Sequence, residues 1–104
     1  PVYDPDPQVL AECLESVRRQ TYADWEHVLV DDASPAAHVW PQLLAASEAD
    51  GRRRVQRCEQ NQGIVGASNR ALAAVRGSIV VLLDHDDLLA PTALERIAEV
   101  FDAD

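Results

Sequence analysis

Two apolar segments of this sequence run directly into clusters of aspartate, and helical stretches separate them from one another and from a third strand-like segment. Few folds accommodate that order. Residues 26–30 read as a strand that continues into Asp31-Asp32, and residues 78–83 as a strand that continues into Asp84-His85-Asp86-Asp87. The 78–83 segment, Ser-Ile-Val-Val-Leu-Leu, is apolar at both parities, as a central parallel strand buried on two faces should be. Residues 54–58 alternate polar and apolar side chains as a shorter strand. Between these lie helical patterns. The first runs from Asp6-Pro7 to about Gln20, with Asp6 as cap, Pro7 in the first turn, and Leu10, Cys13, Leu14 and Val17 on one face. Others are expected over about 37–48, carrying Trp40, Leu43 and Leu44 inward, and over about 65–76, stopped by Gly77. A last helix starts near Pro91 and is expected to bury Leu94, Ile97, Ala98 and Phe101. The alternation predicts an α/β fold, a mostly parallel sheet wrapped by helices.

Composition narrows the function. At 104 residues the chain has room for one modest core, and 47% apolar residues argue against disorder. A formal charge of −9 excludes a duplex nucleic-acid binder, which needs a basic face to displace counterions. No apolar run approaches the roughly 18–20 residues of a membrane span. Cys13 and Cys58 lack metal-ligand spacing and read as buried thiols of a reducing compartment. Arg52-Arg53-Arg54 reads as decoration of a solvated turn, and Trp25 and Trp40 as packing residues rather than sugar platforms.

Ligands of open α/β sheets bind at the carboxyl ends of strands, which is where both acid clusters fall. Carboxylates crowded together repel one another unless something cationic sits among them. A hard divalent cation, Mn²⁺ or Mg²⁺, held by one or two carboxylates and phosphate oxygens answers that repulsion. The Asp84-x-Asp86 spacing on an extended strand sends both carboxylates to the same side.

The residues also carry a resemblance. Pro1-Val2-Tyr3, Gln20-Thr21-Tyr22 with Trp25-Glu26, Val30-Asp31-Asp32-Ala33-Ser34, Asn61-Gln62-Gly63 followed by Ala67-Ser68-Asn69, and Leu82-Leu83-Asp84-His85-Asp86-Asp87 with Pro91 occur in one order along nearly the whole chain. In that order the sequence resembles the family-2 glycosyltransferases of the GT-A fold. The resemblance implies a Rossmann-like, mostly parallel sheet with helices on both faces, here truncated. Residues 1–104 would be the N-terminal, nucleotide-sugar-binding half of a longer transferase domain. It implies that Pro1 and Tyr3 line the nucleotide pocket, that Asp32 reads the donor's base, and that Asp84 lies on the ribose or phosphate side. Asp86 would be the direct metal ligand, with Asp84 beside it, and the metal would stabilise the departing nucleoside diphosphate. Asp4 stands where the family usually has asparagine, which leaves base preference open; His85 is a spacer, and Asn69 is expected to brace the acidic loops.

The expected activity is transfer of a sugar from a nucleotide-diphospho-sugar to a glycan or lipid-linked acceptor, with inversion, in the cytoplasm or at the cytoplasmic face of a membrane. An inverting transferase needs a general base, and no residue here is assigned that role. Three rivals share parts of the pattern. A magnesium-binding phosphoacceptor module needs a lysine, and the sequence has none. A sugar-nucleotide pyrophosphorylase needs a glycine-rich phosphate loop, and none is seen near the start. A nucleotide-sugar-binding module without turnover fits the same residues. Since Pro1-Val2-Tyr3 reads as only the tail of a central strand, the span alone is expected to be marginally stable or to pair with a second copy as a homodimer.

Overall fold

The computed structural model describes residues 1–102. Ala103 and Asp104, part of the expected domain, lie outside the described residues. The elements run α1 (Pro7–Arg18), β1 (His27–Asp31), α2 (Val39–Ala49), β2 (Arg53–Arg57), α3 (Gly63–Ala74) and α4 (Ala93–Asp102). α1 begins as its sequence predicts: Asp6 Oδ1 accepts the backbone N–H groups of Gln8 and Val9 at 2.9 and 3.2 Å, ahead of Pro7. Leu10, Cys13, Leu14 and Val17 are its buried stripe.

β1 and β2 pair in parallel, from His27 opposite Arg53 to Asp31 opposite Arg57. On the other side of β1, Val2 forms a single parallel bridge to Asp31, donating to Val30 O at 2.7 Å and accepting from Asp32 N at 2.8 Å. β1 therefore lies between Val2 and β2. Its alternation divides the core into two layers. Leu29 joins Val2, Leu10, Leu14, Val39 and Leu43 under α1 and α2, with Trp40 and Val55 packed at the margin. Val28 and Val30 turn the other way, to Cys58, Ala67 and Ala71 below α3. Helices thus cover both faces, around a sheet of two strands that is far short of a full Rossmann sheet.

Four expectations are corrected. Residues 78–83 form no strand, and Ile79, Val80, Val81 and Leu82 are exposed, Leu82 by 81%. An extended segment becomes a strand only when a neighbour takes its backbone hydrogen bonds, and among the described residues the single bridge at Val2 offers no such edge. The same gap leaves α4 without a buried side: Leu94, Ile97 and Ala98 are half-buried, and Phe101 is exposed. The three arginines are not a solvated turn. Arg53 is buried and donates to Leu14 O at 2.6 Å, near the carboxyl end of α1. Arg52 stacks 3.8 Å above the Trp25 ring and Arg54 pairs with Glu26 at 3.1 Å. Nor does Gly77 end α3: the helix stops at Ala74, where Val75 turns extended, and Arg54 and Glu26 hold the exit by bonds to Ala74 O and Arg76 N.

Candidate functional site

At the carboxyl end of β1, Asp31 and Asp32 are 0% and 3% exposed, so each carboxylate must find partners within the protein. Asp31 Oδ1 accepts Ser34 N at 3.0 Å. Its Oδ2 has no hydrogen bond and lies 3.8 Å from Arg57 Nε, an ion-pair separation. Asp32 Oδ1 accepts Gln62 N at 2.7 Å, and Asn61 Nδ2 donates to Asp32 O at 3.2 Å. The Asn61-Gln62-Gly63 loop is thereby fastened to the strand end, with Gly63 at φ 78° where a side chain would be strained. Asn61 and Gln62 do the bracing expected of Asn69, which is exposed on α3.

Ala33 and Asp4 both adopt left-handed backbone, at φ 58° and 44°. Ser34 Oγ accepts Asp4 N at 2.8 Å, and Asp4 Oδ1 accepts Ala36 N at 3.2 Å. Asparagine and aspartate tolerate this conformation best among residues with side chains, which accounts for an Asx residue at position 4. Pro1 is half-buried and Tyr3 is exposed, on either side of the Val2 bridge that sets them beside the end of β1. A cleft lined by Ala33, Ser34, Arg57, Cys58 and Glu59 opens at the same end of the sheet. Arg57 carried no signal in the sequence, and Gln62 was visible only as part of the Asn61-Gln62-Gly63 motif with no role assigned; the register opposite Asp31 and the loop closure onto Asp32 are tertiary facts.

The second acid group is built differently from expectation. Asp87 N donates to Asp84 O at 3.0 Å, closing a turn, and Asp84 N approaches Asp87 Oδ2 at 3.4 Å. The turn, not strand alternation, gathers carboxylate oxygens of Asp84, Asp86 and Asp87 within 4.8 Å of one another. All three are exposed. An oxygen-only cluster of this size could coordinate a hard divalent cation, so the donor chemistry fits Mn²⁺ or Mg²⁺. Asp87 joins Asp84 and Asp86, although the sequence spacing singles out only the latter two. Cys13 Sγ lies 3.6 Å from Asp84 O, and burial pushes its thiol up to about 11, so it remains protonated as a donor. Both cysteines are free and buried. No helix among the described residues is long and apolar enough to cross a membrane.

The chain is similar to several known proteins. The chain is 44% identical over 101 residues to the O-antigen biosynthesis protein RfbC of Myxococcus xanthus, covering 97% of this chain and 8% of RfbC. It is 48% identical over 103 residues to protein y4gI of Sinorhizobium fredii, covering 99% of this chain and 11% of that one. The succinoglycan biosynthesis protein ExoO of Rhizobium meliloti is 37% identical over 94 residues, with 90% and 26% covered. The crystal structure of S. aureus TarS superposes with a TM-score of 0.87 at 26% identity, over 99% of this chain and 18% of TarS. The chain thus spans about a tenth of the length of y4gI and RfbC. Residues 1–104 match the model of glycosyl transferase family 2 from end to end, and the chain belongs to that family, as a GT-A-like domain.

Proposed function

We propose that this chain is the nucleotide-sugar-binding half of a metal-dependent, inverting glycosyltransferase, whose acceptor side and general base lie in a further part of the protein. The observation that carries the reading is the turn that gathers Asp84, Asp86 and Asp87 within 4.8 Å in a domain of this family. Asp86 is the direct metal ligand in this reading, with Asp84 beside it on the ribose or phosphate side. A bound cation supplies counter-charge for the diphosphate that leaves. The chain's own residues orient the donor: Asp32 accepts a ring N–H of the base through the oxygen not engaged by Gln62, and Pro1 and Tyr3 line the pocket at the end of β1. The names of RfbC and ExoO support a role in polysaccharide or cell-envelope glycan assembly, with a glycan or lipid-linked acceptor in the cytoplasm or at the cytoplasmic face of a membrane.

Calorimetry on the full-length protein with a nucleoside diphosphate and manganese tests the metal assignment. Asp86→Ala is expected to abolish the manganese-dependent part of binding, and Asp87→Ala to weaken it less. Unchanged manganese-dependent binding in Asp86→Ala overturns the assignment.

A further inference from the structure

We infer that Gln20 is a positioning residue for the acid turn, holding Asp84, Asp86 and Asp87 against α1. This rests on the reading of those aspartates as the metal-holding group. The Gln20 side chain, just beyond α1, is buried, and both ends of its amide are used. Nε2 donates to Ser16 O at 3.0 Å and to Ala90 O at 2.8 Å; Oε1 accepts Leu94 N at 3.0 Å. The first of these bonds fixes the amide to its own helix, and the other two reach across to the segment that follows the aspartates. Leu94 N belongs to the first turn of α4, where backbone donors have no partner within the helix, so one amide both caps α4 and anchors the loop before it.

The same face of α1 holds that segment at two further points. Ser16 Oγ accepts Leu89 N at 3.1 Å, and Cys13 Sγ approaches Asp84 O at 3.6 Å. Positions 13, 16 and 20 follow one another at helical spacing, so they present a single row of polar contacts. The acid turn is therefore held by Cys13 at its first residue and by Ser16 and Gln20 beyond its last. Three exposed carboxylates repel one another, and a backbone free to spread would separate them. Groups that orient metal ligands through hydrogen bonds typically change metal affinity about 10- to 100-fold when removed.

The test is a manganese titration of the full-length protein by paramagnetic resonance, read beside its thermal transition. Gln20→Met keeps the length of the side chain and removes all three bonds. Gln42→Leu is the control: its amide ties α2 to Pro7 O at 2.9 Å, away from the aspartates. Gln20→Met is expected to weaken manganese binding about tenfold or more, while Gln42→Leu leaves it unchanged at a comparable loss of melting temperature. Should Gln20→Met fail to fold, Ser16→Ala, which removes the acceptor for Leu89 N together with a bond within α1 from Ser16 Oγ to Cys13 O at 2.7 Å, is expected to shift affinity the same way by a smaller factor. Wild-type affinity in the folded variants, or losses in variant and control that simply track melting temperature, overturns the positioning role and leaves the metal reading standing. Absence of manganese binding in the wild type overturns the metal reading itself.

Discussion

At the end of β1, two adjacent aspartates are committed to different partners. Asp31 closes the Ser34 turn and faces Arg57, while Asp32 holds Gln62 N through one oxygen. Asp31→Ala leaves Ser34 N without its acceptor in a buried place and is expected to cost about 1–3 kcal/mol of stability, measured by denaturant unfolding. Asp32→Asn keeps an oxygen for Gln62 N but loses the charge offered to a base, so its effect is expected in donor titration, at about 1.5–3 kcal/mol, with a smaller change in stability. The reverse pattern would exchange the two roles. His27 adds a pH dependence. Burial, then the charge of Arg53, pushes its ring down to about 4 from an ordinary 6.5, while Arg53 Nη1 lies 3.5 Å from Nδ1. The folded protein therefore resists protonating a ring that the unfolded chain protonates readily. The resulting stability is complete above about pH 6.5 and is lost as pH falls toward 4, by on the order of 2 kcal/mol. Glu15 and Asp50 are held down to about 2 by hydrogen bonds from Arg18 and Arg52, so the stability they add is lost as pH falls from about 4.5 toward 2, overlapping only the lower edge of that window. Melting temperatures between pH 7 and 4.5 should fall for the wild type and flatten in His27→Gln.

Among the elements, α3 shows most directly how packing constrains this fold. Ala67 is fully buried between the helix and Val30, so the sheet approaches to the radius of a methyl group. Ala67→Leu is expected to destabilise by about 1–3 kcal/mol through overpacking, whereas Ala73→Leu on the exposed side should be close to neutral by the same unfolding measurement. The helices α1, α2 and α3 were legible because each carries its own periodicity, and the start of α1 because Asp6 and Pro7 mark it, whereas the end of α3 is set by Arg54 and Glu26 from elsewhere in the fold. β1 and β2 were legible within a residue, because their alternation records two helical layers. The 78–83 segment was misread for a physical reason: its apolar residues report what a strand would bury, but not whether a neighbour exists to pair with it. The proximity of Asp84 and Asp86 was read correctly from the wrong geometry, since a turn brings them together and includes Asp87. Arg53 of β2 was invisible as a core residue, because charge in a sequence does not disclose a carbonyl such as that of Leu14 or a ring such as Trp25 waiting across the fold.

Across the whole molecule, the two acidic groups have separate supports. Asp31 and Asp32 are fixed by the sheet and the Asn61-Gln62 loop; the aspartates at 84–87 are fixed by α1. Among the described residues no hydrogen bond or ion pair joins one group to the other. A ligand that engages both would act as a strut between two scaffolds, and its second attachment would be made at the high effective concentration set by the first. Such a strut has a thermodynamic signature that neither end can produce alone. A nucleoside diphosphate together with manganese should raise the melting temperature of the full-length protein by more than the sum of the shifts from a nucleoside and from manganese added separately. Merely additive shifts would mean that no single ligand engages both groups at once. The excess, if measured against diphosphates and triphosphates in turn, would serve as a ruler for the span that this domain is built to bridge.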